Sequence, residues 1–262
     1  KKTGIMANYI NLGNQRFAES IDEEYVDKTG LIAEINATLF KEKRFTCVSR
    51  CRRFGKSMAA KMLCAYYDKS CDSRDLFRGL EIEKHPSFEK HLNKYPVIYV
   101  DMTDFVTRFR GERSIVDAIQ RTLMDDLADV YTEVAVREND DWMEYLRRIA
   151  QHAGERFVLI IDEWDAICRE FEGDSQTMGE YVNLLRRMFK SSSALDVFAG
   201  VYMTGIFPIK KYRTESALNN FREYSMIDPK RLARYFGFTK DEVRMLCERH
   251  GMEFEDMVKW YD

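Results

Sequence analysis

The sequence predicts an α/β domain of three layers, in which helices cover both faces of a mainly parallel sheet of five strands. Short apolar segments alternate along the chain with longer segments whose apolar residues recur every three to four positions, which is the pattern of strands alternating with helices. Residues 157–161 are apolar at every position, as expected of a strand that is buried on both faces of a parallel sheet. Together these observations indicate consecutive βαβ units.

The same patterns locate each element. Strands are predicted at residues 45–48, 96–101, 157–161, 197–203 and 223–227. Helices are predicted where apolar residues mark one face, at residues 58–66, 115–130, 142–149 and 181–188. Pro96 is compatible with the second strand because it opens the strand. Gly154 is well suited to end the helix that precedes the third strand.

Composition divides the chain into an N-terminal arm at residues 1–33, a core at 34–228 and the beginning of a small helical lid at 229–262. After Pro229 the apolar residues follow helical spacing only. Thr239 is a suitable helix N-cap, and Glu242 is its partner in a capping box. The last residues contain no helix-ending signal, so we expect the chain to be part of a longer protein.

Length and charge exclude several classes of protein. The chain has 262 residues, of which 45% are hydrophobic and 32% charged, as is typical of a globular protein with a large core. Its 41 basic and 44 acidic residues leave a net charge of −3, which gives no general support to nucleic-acid binding. No apolar run approaches the ~20 residues that span a membrane, and no secretory signal opens the chain. We therefore expect no membrane contact and a cytoplasmic location.

The cysteines favour the same location. There are six of them, at Cys47, Cys51, Cys64, Cys71, Cys168 and Cys247. None belongs to a C-x-x-C pair, and the four histidines offer no zinc-finger spacing. The pattern therefore predicts free thiols in a reducing compartment and no structural zinc.

A candidate phosphate-binding loop lies between the first predicted strand and the first helix. At this position, backbone N–H groups and a helix N-terminus can face a polyphosphate. Lys56 would reach the β- and γ-phosphates and the Ser57 hydroxyl would ligate Mg²⁺, while Gly55 would let the backbone approach. The general pattern has glycine where this chain has Arg50. The residues that we assign to nucleotide binding are Arg50, Cys51, Arg52, Arg53, Phe54, Gly55, Lys56, Ser57 and Met58. The alternative is an ordinary helix N-terminus with a lysine that reaches into solvent.

Two acidic residues follow the all-apolar third strand, which we expect to lie beside the strand of the phosphate loop. Asp162 would hold Mg²⁺ through water, and Glu163 would orient and polarise the attacking water. The alternative is a solvated acidic strand end. The order of the loop and the acids, with room between them for further strands and helices, favours a nucleotide-hydrolysing site. Asp165 is expected to support this site or to cap a helix.

Thr204 ends the fourth predicted strand, where it is either a sensor of the γ-phosphate or part of a turn. The catalytic residues are therefore predicted to be Lys56, Glu163 and Thr204, and the metal ligands Ser57 and Asp162. The arginines of the loop either contact phosphates, complete the site of a neighbouring copy, or lie on the surface. Arg186, Arg187 and Lys190 would act on a neighbouring copy only in an assembly.

Taken together, these motifs resemble the AAA-ATPase-like family, a family of P-loop ATPases. The resemblance covers nearly the whole chain and rests on YVDKT at 25–29, RCRRFGKS at 50–57, LIIDEWD at 159–165, TGI at 204–206, LNN at 218–220, and FGFT at 236–239 followed by EV at 242–243. Cys51 replaces a usual proline and Trp164 a usual tyrosine.

The resemblance has several implications. The fold would be that of a P-loop NTPase, the nucleotide would be ATP rather than GTP, and Arg50 would be a trait of the family. Asn219 and Asn220 would lie near the nucleotide or the lid. Family members often carry a C-terminal restriction-type nuclease domain, which would follow residue 262.

We thus expect a Mg²⁺-dependent ATPase that couples nucleotide state to an effector, and a homo-oligomer is compatible with the loop arginines. Three alternatives remain. The chain could be a nucleotide-gated interaction module that scarcely hydrolyses, although Glu163 argues against this. It could transfer phosphate to a small acceptor, for which no acceptor site is evident. It could bind nucleic acid through local basic patches at 50–53 and 210–211.

Overall fold

The computed structural model describes residues 8–21, 25–212, 214–228 and 230–259. At its centre is a parallel sheet made of β1 (Phe45–Ser49), β2 (Val97–Asp101), β3 (Phe157–Asp162), β4 (Phe198–Gly205) and β5 (Arg222–Tyr224). The lateral order of the strands is β2-β3-β4-β1-β5. Five parallel strands connected by helices confirm the predicted α/β class.

Helices precede the first strand, connect the strands and follow the last of them. They are α1 (Gln15–Ala18), α2 (Gly30–Asn36), α3 (Lys56–Tyr67), α4 (Phe88–His91), α5 (Met102–Phe109), α6 (Ile115–Val130), α7 (Trp142–Ala153), α8 (Ala166–Glu170), α9 (Ser175–Lys190), α10 (Ala194–Val197), α11 (Glu215–Leu218), α12 (Lys240–His250) and α13 (Phe254–Lys259). Short 3₁₀ helices cover Arg74–Phe77, Glu81–Lys84, Ile209–Tyr212 and Lys230–Tyr235.

The three layers follow from β3, whose residues are all buried. Val158 and Ile160 belong to a core cluster that includes α2 and α3, whereas Leu159 and Ile161 belong to a second cluster that includes α6, α7 and α9. Successive side chains of a strand point to opposite faces of its sheet. The unbroken apolar run therefore fills two cores at once, as predicted.

Local signals locate the element ends well. The second strand begins after Pro96, α7 ends at Gly154 in the left-handed conformation, and Thr239 and Glu242 form the predicted capping box of α12. The fifth strand is shorter than predicted, because the chain turns at Ser225, whose N–H donates to the carbonyl of Asp228 over 3.2 Å. A short edge strand limits pairing with other chains.

The lateral order corrects one expectation. β3 was predicted to lie beside β1, but β4 lies between them, and the neighbours of β1 are β4 and β5. Hydrophobic periodicity identifies strands but contains no information on which strands pair. The insertion places Thr204, at the end of β4, between the phosphate loop and the acids of β3.

The C-terminal segment docks on the core through its first residues. Leu232, Tyr235 and Phe236 are buried in the same cluster as α2 and α3. The divisions at residues 33/34 and 228/229 remain predictions. Parts of the arm, Pro229 and the final residues 260–262 lie outside the described residues. Within the described ranges, no helix combines the length and the hydropathy needed to cross a membrane.

Candidate active site

The loop that joins β1 to α3 has the backbone expected of a phosphate cradle. Gly55 is the N-cap residue of α3, with a φ of 77°, and Arg53 is also left-handed, with a φ of 68°. A Cβ atom added at Gly55 would meet no atom within 4 Å, so the backbone is open to an approaching ligand. No side chain caps α3, which leaves the N–H groups of its first turn for another acceptor.

Lys56 is buried under this loop, with only 4% of its side chain exposed. Its Nζ donates to the carbonyl oxygens of Arg50, at 2.9 Å, and Cys51, at 3.0 Å. The same ammonium lies 3.4 Å from Oε1 of Glu163. An ammonium has three N–H donors, so protein oxygens surround it fully. The alternative of a lysine that reaches into solvent is therefore wrong.

Thr204 connects the two acids at the end of β3. Its hydroxyl donates to Oδ1 of the buried Asp162 and accepts the backbone N–H of Glu163 over 3.1 Å. The carbonyl of Thr204 also accepts the N–H of Trp164 over 2.8 Å. Thr204 is thus a side chain that fixes the acidic strand end, rather than a simple turn residue.

The carboxylate of Glu163 lies between two cations. Its Oε1 faces Lys56, and its Oε2 lies 3.0 Å from Nη1 of Arg169 on α8. The backbone of Glu163 is left-handed, with a φ of 53°, which is uncommon for a residue other than glycine. This conformation turns the carboxylate from the strand direction toward the phosphate loop.

Arg169 is a residue that the sequence analysis missed. It bridges Glu163 and the fully buried Asp165. Burial lowers the pKa of Arg169, but Asp165 and Glu163 outweigh burial, so the pKa lies above its ordinary value. The available signal was the spacing of four residues between Asp165 and Arg169, which places the two side chains on one helix face.

Asp165 supports the site, as predicted, although its side chain does not cap α8. Its carboxylate accepts the backbone N–H groups of Ile206, at 3.2 Å, and Phe207, at 3.0 Å. Asp165 therefore holds the chain that leaves β4 against the end of β3.

The loop arginines separate into two kinds. Arg52 and Arg53 are exposed, as is Cys51. Arg50 is 3% exposed, so the surface interpretation is wrong for this residue. Nη1 of Arg50 donates to the carbonyls of Ser49 and Tyr224, each over 2.9 Å. Burial lowers the pKa of the guanidinium.

A cavity of about 420 Å³ opens beside Glu163. It is lined by Arg52, Thr103, Val106, Thr107, Arg110, Glu163, Ala166, Arg169 and Glu170. The carboxylate that we assign to water activation therefore faces an open space between the phosphate loop, α5 and α8.

Other residues that the sequence analysis singled out also have defined contacts. Asn219 accepts from Nζ of Lys190 over 2.6 Å, and Asn220 donates to the carbonyl of Phe189 over 2.7 Å. Both asparagines thus tie α11 to the C-terminal end of α9. The position near the nucleotide or the lid that the resemblance implied remains a prediction. Arg187 is paired with Asp141 of its own chain. All six cysteines are free.

Comparisons with known proteins agree with the motifs. The model of the AAA-ATPase-like family, described as predicted AAA-ATPase, matches residues 11–214. A comparison with curated proteins finds no match. None of the comparisons supports the nuclease domain that the resemblance implied.

Similar solved structures exist at low identity. One is described as a DNA replication initiation factor, with 11% identity, a TM-score of 0.40, and coverage of 94% of this chain and 58% of that one. Another is the ORC2 protein of Aeropyrum pernix in ADPNP-ADP complexes, with 12% identity, a TM-score of 0.43, and coverage of 90% and 55%. A third is the ORC1 protein of the same organism in complex with DNA, with 15% identity, a TM-score of 0.40, and coverage of 93% and 54%.

The chain spans little more than half the length of these solved structures, and similarity at this level carries no argument about DNA or replication. The family match is different, because it extends over more than three quarters of the chain and includes the phosphate loop, the acids of β3 and Thr204. The chain therefore belongs to the AAA-ATPase-like family of predicted ATPases.

Proposed function

We propose that this domain binds ATP with Mg²⁺ at the carboxyl ends of β1, β3 and β4 and hydrolyses the bond between the β- and γ-phosphates. The observation that carries the proposal is the distance of 3.4 Å between Nζ of Lys56 and Oε1 of Glu163. The two residues lie 107 positions apart in the sequence, and they follow two different strands, β1 and β3. A phosphate-binding cation and a water-activating carboxylate must meet around the γ-phosphate.

The phosphate loop supplies the binding groups. The uncapped first turn of α3 and the open backbone at Gly55 present N–H groups to the phosphates. Lys56 exchanges part of its present contacts for the β- and γ-phosphate oxygens. Because the ammonium is already buried and oriented, little side-chain freedom is lost when the nucleotide binds.

The residues present fit Mg²⁺, since the exposed Ser57 hydroxyl and the Asp162 carboxylate are oxygen donors of the kind that this ion prefers. Among the residues described by the structure, no cluster of three or more acidic, histidine or cysteine side chains could hold a metal alone. This is the donor set expected where phosphate and water oxygens complete the coordination. When bound, Mg²⁺ neutralises charge that develops on the phosphate oxygens.

Glu163 accepts a proton from the attacking water. Its carboxylate borders the 420 Å³ cavity, from which water can approach. Arg169 holds one oxygen and the Thr204 hydroxyl holds the backbone N–H, so both ends of the residue are fixed. A fixed base loses no rate to reorientation during proton transfer.

Hydrolysis is tested by phosphate release from Mg-ATP in the wild type, Lys56→Ala and Arg78→Ala. Arg78 is an exposed arginine remote from the site, so its variant is the matched control and should retain full turnover. Lys56→Ala should lose at least about 100-fold in turnover. If the wild type releases no more phosphate than Lys56→Ala, hydrolysis is excluded.

Binding is tested separately by the melting temperature. Saturating Mg-ATP should raise it in the wild type and not in Lys56→Ala, since a ligand that binds only the folded state stabilises that state. The absence of a shift in the wild type would contradict nucleotide binding. A parallel titration with GTP tests the preference for adenine.

Two alternatives are separated by the same assay. A nucleotide-gated module would show the shift in melting temperature but no turnover. The cavity beside Glu163 is also where a small acceptor could enter, so ADP formation that requires an added acceptor would identify a phosphotransferase. Coupling of nucleotide state to an effector is part of the proposal, and mass measured in solution with and without ATP tests whether copies assemble.

A further inference from the structure

The lid segment, residues 230–250, contacts the phosphate loop directly. The N–H of Gly237 donates to the carbonyl of Phe54 over 3.2 Å. Gly237 is left-handed, with a φ of 74°, and a Cβ atom there would lie 3.1 Å from the Phe54 ring. The ring of Phe236 lies 5.6 Å from Cζ of Arg50.

A second contact holds the lid segment to the N-terminal part of the chain. Nζ of Lys28 donates to both carboxylate oxygens of Glu242, each over 2.7 Å, and to the carbonyl of Arg234 over 2.7 Å. This contact is separate from the phosphate loop. The lid segment therefore remains attached to the core even if its contact with Arg50 is lost.

Arg50 connects the loop, the sheet and the lid segment. Its N–H donates to the carbonyl of Gly205 over 3.0 Å, and its own carbonyl accepts from Lys56. Its side chain holds the carbonyl of Tyr224 on β5 and stacks on Phe236. One residue thus contacts β4, β5, the lysine of the loop and the lid segment.

The charge of Arg50 is poorly compensated. Among the described residues no carboxylate forms an ion pair with it, and its Nη2 is buried without a hydrogen-bond partner. A buried cation without a counter-charge is costly, and one aromatic ring compensates only a part of that cost. An anion close to the loop would therefore stabilise the charged guanidinium of Arg50 in its buried position beside the Phe236 ring.

Lys56 contacts Arg50 and is also the residue that we expect to bind the nucleotide phosphates. All three directions of the Lys56 ammonium face protein oxygens, one of which is the carbonyl of Arg50. A triphosphate that binds this ammonium must displace at least one of these oxygens. Where the displaced oxygen is the carbonyl of Arg50, occupancy of the loop changes the contacts of a residue whose side chain touches the lid segment.

We propose that Arg50 is a positioning residue that couples nucleotide occupancy of the phosphate loop to docking of the lid segment through Phe236. This inference rests on the proposed function, because it requires nucleotide in the loop. Polyphosphate supplies the missing negative charge, so docking becomes tighter when nucleotide is bound. By thermodynamic reciprocity, loss of the coupling weakens nucleotide binding by the same factor by which nucleotide favours docking.

The test is hydrogen–deuterium exchange with and without Mg-ATP, in a Glu163→Gln background that limits turnover. In that background, ATP should slow exchange in loop peptides covering residues 54–60 and in lid peptides covering 236–250. The slowing in the lid peptides should be about fivefold or more, which is the lower range of ordinary coupling.

Two substitutions test the contact between Arg50 and Phe236, one at each residue. Arg50→Lys keeps the charge but loses the planar fork that holds Tyr224 and stacks on the ring, and Phe236→Leu keeps an apolar side chain but removes the ring. Each should abolish the slowing in the lid peptides while ATP still protects the loop peptides, at an affinity about fivefold lower. Arg78→Lys, at an exposed site, is the matched control and should behave as the parent.

The outcomes separate the two proposals. If ATP protects no loop peptide in the parent, nucleotide binding itself is contradicted. If the loop is protected and the lid peptides still respond fully in Phe236→Leu and in Arg50→Lys, the coupling role of Arg50 is contradicted while binding stands. Phe236→Leu decides the question even if Arg50→Lys does not fold.

Discussion

The polar side chains buried near the C-terminal end of α3 and those buried at the carboxyl edge of the sheet differ in how fully their hydrogen bonds are made. Asn36 belongs to the first region. Its Nδ2 donates to the hydroxyls of Tyr66, at 3.1 Å, and Ser87, at 2.9 Å, and its Oδ1 accepts from Tyr67 over 2.7 Å. Asn93 donates to two backbone carbonyls nearby. This polar cluster is saturated.

The carboxyl edge is different. Nη2 of Arg50, the Tyr202 hydroxyl and the Trp164 indole N–H are buried there without a hydrogen-bond partner, and Oε2 of Glu163 has only the ion pair with Arg169. Glu163 and Asn93 both have a left-handed backbone, but glutamate tolerates this conformation less well than asparagine. Saturated polar groups stabilise a fold, whereas unpaired groups and strained backbone are retained where a ligand or a reaction needs them. Buried polar atoms of Tyr131, Trp142 and Arg222 also lack a partner elsewhere in the described residues. What distinguishes the carboxyl edge is that its unpaired groups surround the proposed nucleotide site.

The largest expected effect belongs to the carboxyl edge. Glu163→Gln keeps the shape of the side chain but removes the base, so turnover of Mg-ATP should fall by about 100- to 1000-fold. The shift in melting temperature on ATP binding should persist. The unfolding free energy should fall by about 1–3 kcal/mol, because Lys56 and Arg169 lose the charge of their partner. Steady-state assays measure the turnover, and urea unfolding measures the free energy of unfolding. Wild-type turnover in this variant would remove Glu163 from the mechanism.

The saturated cluster should give the opposite result. Asn36→Ala leaves the Tyr67 hydroxyl without its acceptor and removes the donor to the hydroxyls of Tyr66 and Ser87. We therefore expect a loss of about 2–4 kcal/mol in unfolding free energy, with turnover per folded molecule unchanged. The matched control is Asn183→Ala on the exposed face of α9, which should change stability by less than about 0.5 kcal/mol. Equal effects of the two substitutions in urea unfolding would show that the cluster is not a structural unit.

Substitutions of Thr204 test whether its hydroxyl holds Asp162 and Glu163 in position. Thr204→Val is nearly isosteric but removes the hydroxyl shared by Asp162 and the Glu163 N–H, so turnover should fall about 10- to 100-fold. Thr204→Ser keeps the hydroxyl and should stay within about threefold of the wild type. If the valine variant is as active as the serine variant, the hydroxyl does not position the acids.

The smallest expected effect concerns pH. Burial lowers the pKa of His91 to about 4, and its Nδ1 lies 2.6 Å from the Tyr95 hydroxyl. The unfolded state, with an ordinary histidine pKa of about 6.5, takes up the proton first, so the folded state loses stability as the pH falls from about 6.5 to about 4. Glutamine does not take up this proton, so the acid-induced loss of unfolding free energy should be smaller in His91→Gln than in the wild type by roughly 1–3 kcal/mol.

Urea unfolding at pH 7 and pH 4.5 measures how far the unfolding free energy of each variant falls between the two pH values. His85→Gln is the matched control, since His85 is exposed, and it should leave the pH dependence as it is in the wild type. A pH dependence that is the same in His91→Gln and the wild type would contradict the assignment.

Much of the fold was predictable because its signals are local. The apolar run of β3, the capping box at Thr239 and the glycine end of α7 each depend on a few neighbouring residues. The phosphate loop and the acids could be assigned for the same reason, since Lys56 and Glu163 each follow a recognisable strand. Their roles in binding and hydrolysis remain proposals.

What escaped prediction depends on distant parts of the chain. The position of β4 between β1 and β3, and the burial of Arg50 against β5 and Phe236, arise from packing that no sequence window contains. α5 is an exception, because its beginning was missed although a local signal is present: Asp101 is its N-cap and accepts the N–H of Thr103 over 2.9 Å. The asparagines 219 and 220 were assigned by resemblance, and their contacts with α9 likewise depend on packing.

The φ of 53° at Glu163 has a consequence for the engineering of this domain. Glycine or asparagine adopts this backbone with less strain than glutamate, by roughly 1 kcal/mol. Either residue would also leave the buried Lys56 ammonium and the Arg169 guanidinium without this carboxylate, so the strain at position 163 is not relieved without the loss of two ion pairs. A thermostable variant of the domain has to gain its stability at other positions if it is to keep the base.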